Sequence, residues 1–158
     1  MIEQMIPYFI FLTALGSGLV SGLFFAFSTF IMKALDRLPV DHGIATMQSI
    51  NRTVLNYSFF VVFIGTTLTT VLLIIYTLFH WDQSNVIYLL VGSVFYLLGS
   101  FLVTVVFNVP LNDALAKIDA KNEKSATVWK KYMVRWTAWN HVRTATSFLA
   151  SASFILAL

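Results

Sequence analysis

Four long runs of apolar residues alternate with polar segments along the chain. The runs lie near residues 7–32, 57–80, 86–108 and 136–158. Each is roughly 20 residues or longer, which is the length that an α-helix needs to cross a hydrocarbon core of about 30 Å. The pattern therefore predicts an all-α fold, a bundle of four transmembrane helices that forms a single membrane domain over residues 1–158.

The connections before the second and fourth runs also show helical patterns. Asp41 is placed to cap a helix that starts at His42 and runs into the second span. Pro110 is expected to kink or end the third helix, because proline has no N–H to donate. Beyond it, residues 111–124 alternate apolar side chains with lysines. Both connections are therefore expected to contain amphipathic helices along the cytoplasmic surface of the membrane.

Small residues recur every four positions in the first run. Gly18 and Gly22 have this spacing, and Ser17 and Ser21 repeat it. Such spacing lets two helices approach closely, so we expect this face to pack against a neighbouring helix.

The composition agrees with membrane insertion. Of the 158 residues, 58% are hydrophobic and only 11% are charged, and the mean hydropathy of +0.80 is high for a soluble domain. Glu3 stands where a signal peptide would carry basic residues, so the first run is expected to be a retained span. The chain has no cysteine, which excludes disulfides and thiolate ligands.

The basic residues predict the orientation. Lysine and arginine are concentrated in the two long connections, whereas residues 80–85 contain neither. Because positively charged loops stay on the cytoplasmic side, we expect both termini outside, in a bacterial inner membrane. The basic stretch has no nucleic-acid-binding signature. The expected partner of these residues is therefore the lipid bilayer, and not a nucleic acid.

The fourth span begins with the polar sequence WTAWNHVRT. On a helix with about 100° per residue, Trp136, Trp139, Asn140 and Arg143 fall in one sector, and His141 points about 100° away from Asn140. An arginine at the bilayer centre costs roughly 2.5–3.5 kcal/mol on insertion scales, so Arg143 should face the bundle and have partners. The four runs contain no Asp or Glu that could neutralise it.

Four asparagines are expected near the depth of Arg143, at the cytoplasmic ends of other helices: Asn51, Asn56, Asn108 and Asn112. Together with the two tryptophans they would form a cationic, hydrogen-bonding pocket that opens toward the cytoplasm. Such a pocket suits an aromatic ligand that is an anion or becomes one. In the alternative interpretation, Arg143 snorkels to the headgroups, the tryptophans belong to the interfacial belt, and the asparagines only join or cap helices.

Four segments in this order resemble the anthrone oxygenase family (DUF1772): FSTFIMKAL, MQSINR, NVPLNDAL and WTAWNHVRT. The more specific part is Asn-x-Pro-Leu-Asn followed by Trp-x-x-x-Asn-x-x-Arg. The fungal members that name the family oxidise an anthrone to an anthraquinone without metal or flavin. The resemblance therefore implies a lipophilic aromatic substrate, molecular oxygen as co-substrate, and no metal or other cofactor.

The resemblance also implies roles for the polar residues. Arg143 would pair with the enolate oxygen of the substrate, Asn140 and Asn112 would donate hydrogen bonds to it, and His141 would be the catalytic base. The catalytic set is then His141, Arg143 and Asn140. The predicted substrate-binding residues are Asn51, Asn108, Asn112, Trp136 and Trp139.

Two further interpretations use the same residues differently. A non-catalytic carrier or binding subunit for a quinone-like molecule would need the pocket but no base. A haem protein is disfavoured, because His42, His80 and His141 are expected on different levels and sides of the bundle. The sequence leaves homo-oligomerisation open.

Overall fold

The computed structural model describes residues 2–122 and 124–158, and these residues form helices and no strand. Five continuous helices follow one another. Helix α1 consists of three segments, Ile2–Ala26, Phe27–Ile31 and Met32–Asp36. Helix α2 is Val40–Thr53, α3 is Tyr57–Phe79 and α5 is Ser125–Leu156. Helix α4 consists of four segments, Val86–Val94, Phe95–Leu102, Thr104–Asn108 and Val109–Ala116. The prediction of an all-α fold is confirmed.

Three of these helices are long and apolar enough to cross a membrane. They are the stretch Gln4–Asp36 of α1, Tyr57–Phe79 (α3) and Val86–Ala116 (α4). Helix α5 is outside this group, and its charged residues extend as far as Arg143, past its midpoint. The structure thus supports three of the four predicted spans.

The first connection differs from its prediction. Helix α2 begins at Val40 and ends at Thr53, so it does not run into the second span. Asn56 begins α3 instead, because its side chain accepts a hydrogen bond from the backbone N–H of Phe59 at 3.0 Å. This cap satisfies one of the free N–H groups of the new helix.

Helix α4 does not end at Pro110. It continues to Ala116, and residues Thr104–Asn108 just before the proline are π-helical. A π-helical turn changes the pairing of backbone carbonyls, which helps a helix to accommodate a residue without an N–H. The amphipathic segment predicted after the third span is therefore largely the last part of α4.

Two clusters of buried side chains hold the helices together. One contains Phe63, Tyr96 and Phe154. The other, near α2, contains Met47 and Leu115. Helix α5 contributes to both clusters and packs along α1 and α4. In a bilayer such packing replaces contacts with lipid and not with water, so its stability depends on close fit and on hydrogen bonds between helices.

Close helix approach occurs at two other glycines. A methyl group on Gly16 would overlap the Thr66 side chain of α3, and one on Gly99 would overlap the Thr146 side chain of α5. Gly18 has only the Ser151 hydroxyl oxygen nearby, and Gly22 has no atom of another helix within 4 Å of such a group. The prediction that Gly22 packs against a neighbouring helix is therefore wrong for the helices of this chain.

Candidate functional site

The side chain of Arg143 points into the bundle and is only 4% exposed. Its Nη1 donates to Oγ1 of Thr104 at 3.2 Å, and its Nη2 donates to Oδ1 of Asn140 at 2.8 Å. Among the residues that the structure describes, no carboxylate lies within ion-pairing distance of Arg143. Neutral groups therefore solvate the guanidinium, and its charge is not cancelled.

Aromatic rings complete the surroundings of the guanidinium. Its Cζ atom lies 4.0 Å from the ring centroid of Phe24 and 5.0 Å from that of Trp136. The faces of these rings carry partial negative charge and attract a cation. Phe27 in turn packs against Trp136, with 5.4 Å between the ring centroids. The arginine is thus held by α1, α4 and its own helix α5.

Asn140 fixes the orientation of Arg143. Its Nδ2 donates to the backbone oxygen of Phe24 and to the hydroxyl of Ser28, both at 2.7 Å. These bonds leave its Oδ1 turned toward Arg143. Ser28 and Thr104 both lie in π-helical segments, Phe27–Ile31 and Thr104–Asn108, and such segments are frequent at functional sites.

A cavity of about 320 Å³ lies next to the guanidinium. Arg143, Trp136 and Thr104 supply polar groups to its lining, and Asn51 and Asn112 supply the others. Six phenylalanines form much of its wall: Phe24, Phe27, Phe59, Phe60, Phe63 and Phe101. The described residues that line it include no carboxylate, imidazole or amine. The cavity therefore combines an aromatic surface with one cation.

The two lining asparagines belong to a second polar group centred on Tyr132. The Tyr132 hydroxyl donates to Oδ1 of Asn112 at 2.9 Å, and Nδ2 of Asn51 donates to the Tyr132 oxygen at 3.5 Å. Tyr132 precedes the predicted fourth span and is buried. Its hydroxyl joins α2, α4 and α5.

Helix α2 covers the end of the cavity that was predicted to open toward the cytoplasm. Met47 and Ile50 line the cavity from this helix, and Met47 is fully buried. The amide of Gln48 donates to the backbone oxygens of Leu115 at 2.8 Å and Ile118 at 3.1 Å. These bonds attach α2 to the end of α4.

Several buried polar atoms have no partner in the described part of the chain. They include Nε1 of Trp136, Nε of Arg143 and Oδ1 of Asn108. Buried polar groups are usually hydrogen-bonded, so each such atom needs an explanation. Trp136 and Arg143 both line the cavity, but the two unpartnered atoms are themselves covered by protein. A ligand oxygen could therefore pair with them only after a small shift of either side chain.

The structure brings most of the predicted residues to one place. Asn51, Asn112, Trp136 and Arg143 line the cavity. Two others lie behind this lining: Asn140 contacts the guanidinium, and Asn108 donates to the Trp136 backbone oxygen at 3.2 Å.

Two predicted residues are not brought to the cavity. Trp139 stacks on Phe107 of α4, with 3.7 Å between the ring centroids. His141 is exposed on the outer side of α5, opposite in direction to the buried Arg143. Neither residue lines the cavity, so their assigned roles stay predictions from the sequence.

Sequence reasoning missed Tyr132, Ser28 and the phenylalanines of α3. The available signal for Tyr132 was its helical spacing, because Tyr132, Trp136 and Asn140 are each four residues apart. Phe59 and Phe63 have the same spacing, and their rings stack with centroids 5.3 Å apart.

The fold and the site define a class of protein: an all-helical chain with membrane-compatible helices and a cationic, aromatic cavity between them. Residues 52–153 match the sequence model described as anthrone oxygenase. The chain therefore belongs to the anthrone oxygenase family, as its motifs predicted. The match contains NVPLNDAL and WTAWNHVRT and begins one residue after Asn51. No curated protein and no solved structure matches the chain.

Proposed function

We propose that this protein is a membrane-embedded oxygenase that uses no cofactor and acts on a lipophilic aromatic substrate of the anthrone type. Family membership supports the reaction class. The observation that carries the proposal is the buried Arg143 guanidinium, which has no counter-ion among the described residues and lines an aromatic cavity. A volume of about 320 Å³ lies at the lower end of the range for small-molecule sites, roughly 300–1,000 Å³.

The proposed role of Arg143 is to stabilise an enolate. An anthrone that loses a proton from its CH₂ group places negative charge on its carbonyl oxygen. A donor that is already oriented in a water-poor site stabilises such charge strongly, because it does not have to reorganise. Thr104 and Asn140 hold the guanidinium before substrate arrives. The Trp136 N–H, which is buried without a partner, would provide a second donor after a small shift of the ring.

The reaction balances with molecular oxygen as the only other reactant. The enolate carbon transfers an electron to O₂ and then forms a C–O bond, which gives a hydroperoxide after protonation. Loss of the remaining C–H proton and cleavage of the O–O bond release water. The CH₂ group and O₂ thus become a C=O group and water, and the substrate carbon is the reductant.

The first proton has no base in the lining of the cavity. The described lining residues contain no group that accepts a proton at neutral pH. In the proposed mechanism Arg143 lowers the pKa of the bound CH₂ group, and the proton passes to water. His141 as the base stays a prediction that the geometry does not support further.

We also propose that α5 crosses the membrane and completes a four-helix bundle. Ser125, at its start, donates from its hydroxyl to the backbone oxygen of Asp119 just after α4. At its other end, the Asn85 amide just before α4 donates to the backbone oxygen of Ala157 at 2.9 Å. Helix α5 therefore runs the length of α4, and if α4 spans the bilayer, so does α5. The charge distribution favours an orientation with both termini outside, and we propose a bacterial inner membrane as the location.

Oxygen consumption tests the function directly. Purified protein in lipid nanodiscs, treated with a metal chelator, is given an anthrone with and without air. We expect anthraquinone to form faster than in protein-free nanodiscs, only in air, with one O₂ consumed per product. Binding of the anthrone without faster turnover would overturn the oxygenase and favour a carrier.

A further inference from the structure

We propose that the substrate enters the cavity laterally from the lipid bilayer, through a mouth between α3 and α4. This inference rests on the proposed function and deepens it, because it defines the substrate as a molecule dissolved in the membrane. We define the mouth by five lining residues: Leu55, Phe60, Ile64, Val105 and Val109.

The lining of this one cavity changes from buried to exposed. Arg143 is 4% exposed, whereas Phe60 is 46%, Val105 is 47% and Leu55 is 60% exposed. All four residues line the same cavity. The cavity therefore reaches the outer surface of the bundle. At the mouth this surface consists of apolar side chains, mostly on the two helices Tyr57–Phe79 and Val86–Ala116 that are long enough to cross a membrane.

The arrangement of α3 and α4 explains why the mouth lies there. Helix α3 packs against the Val86–Val94 and Phe95–Leu102 segments of α4. In the described chain it has no comparable packing with Thr104–Asn108 or Val109–Ala116. The opening extends along α3 from Phe60 to Ile64, which are four residues or about 6 Å apart on a helical rise of 1.5 Å per residue. Leu55 borders it just before the helix begins.

The direction of the opening sets the chemistry of the substrate. Helix α2 covers the cytoplasmic end through Met47 and through the two hydrogen bonds of Gln48. A charged, water-soluble molecule would have to pass through hydrocarbon to reach the mouth, which is costly. A flat aromatic ketone or phenol can dissolve in the bilayer and place its oxygen against Arg143, while its carbon edges contact the phenylalanines.

Association kinetics in nanodiscs test this mouth. The probe is anthraquinone, which lacks the CH₂ group and cannot turn over, and quenching of tryptophan fluorescence reports its binding. The blocked variant combines Ile64→Phe with Val105→Phe. The matched control combines Val61→Phe with Val106→Phe, at residues that are 51% and 48% exposed and do not line the cavity.

We expect the association rate to depend on the ratio of anthraquinone to lipid and not on the concentration of anthraquinone in water. The blocked variant should associate about tenfold more slowly than the parent, while the control should keep the parental rate. Thermal unfolding should be the same in both variants, because phenylalanine is well tolerated next to lipid.

Three results would overturn the proposed entry route: a parental association rate in the blocked variant, association rates that depend on the aqueous concentration, or no binding of anthraquinone at all. Failure of the oxygenase would look different. Anthraquinone would still bind through the mouth, and only the oxidation of an anthrone would be missing.

Discussion

At the scale of single residues, Arg143 can remain buried because its partners replace a counter-ion. Hydrogen bonds from charged groups contribute about 1.5–3 kcal/mol each, and a cation over an aromatic ring contributes about 0.5–2 kcal/mol. Its two hydrogen bonds and two ring contacts therefore offset an insertion cost of roughly 2.5–3.5 kcal/mol. The positive charge stays available to a ligand.

Trp136→Phe separates a structural from a functional role for the indole. The change removes an N–H that has no partner and keeps an aromatic ring next to Phe27. We expect turnover of an anthrone to fall about tenfold, by the roughly 1.4 kcal/mol that one hydrogen bond contributes, without loss of thermal stability. Trp139→Phe is the control, because Trp139 does not line the cavity. Equal turnover in both variants would exclude the indole as a donor to substrate.

His141→Ala tests where the first proton goes. Since His141 is exposed on α5, we expect the variant to keep the parental turnover and the same rise of turnover with pH, which follows ionisation of the bound substrate. The rate of anthraquinone formation, measured across the pH range for both proteins, checks this. Turnover that is lost at neutral pH and recovers in alkali would assign the base to His141.

The sequence predicted part of this site because α5 is a regular helix. The spacing of Trp136, Asn140 and Arg143 places them on one side of any helix. Ser28 and Thr104 could not be predicted as their partners, because their positions depend on π-helical turns in α1 and α4 and on how those helices pack.

At the scale of helices, close contacts were harder to predict than the helices themselves. Apolar runs indicate where a helix crosses lipid, and the three supported spans start near the predicted positions. The third ends at Ala116, eight residues after its predicted end. The ends of α2 and α4 depended on local features, namely the Asn56 cap and the π-helical turn before Pro110. The spacing of Gly18 and Gly22 did not show which glycines touch another helix.

Glycine substitutions test the helix contacts. Gly99→Ala should lower the free energy of unfolding by about 1–3 kcal/mol, because the new methyl group overpacks against Thr146. Gly16→Ala should act in the same way against Thr66. Gly22→Ala is the control and should be neutral. Unfolding in nanodiscs measures all three, and a larger effect at Gly22 than at Gly99 would mean that the helices pack differently.

At the scale of the whole molecule, the account depends on α5 crossing the membrane. The sequence indicated a fourth span, yet the polar residues that build the site also make α5 the least apolar of the four long helices. Its path beside α4, fixed at both ends by Ser125 and Asn85, is information that only the fold provides.

Cysteine labelling tests the path of α5, and the chain has no cysteine of its own. With a membrane-impermeant maleimide on intact cells, Gln83→Cys and Leu158→Cys should be labelled and Lys121→Cys should not. Labelling of Lys121→Cys alone would reverse the orientation. If Leu158→Cys behaved like Lys121→Cys, α5 would not cross the membrane.

The most direct test of the central claim is the catalytic efficiency of Arg143→Lys with an anthrone. A lysine cannot hold Thr104, Asn140 and an enolate oxygen with one planar group. We expect kcat/KM to fall by about 10²–10³-fold, as when an oriented donor is lost from an oxyanion site, while folding is unchanged. Arg135→Lys, at an exposed position of α5, should keep the parental value. Parental kcat/KM in Arg143→Lys would contradict the account, because the cavity would then not depend on this guanidinium.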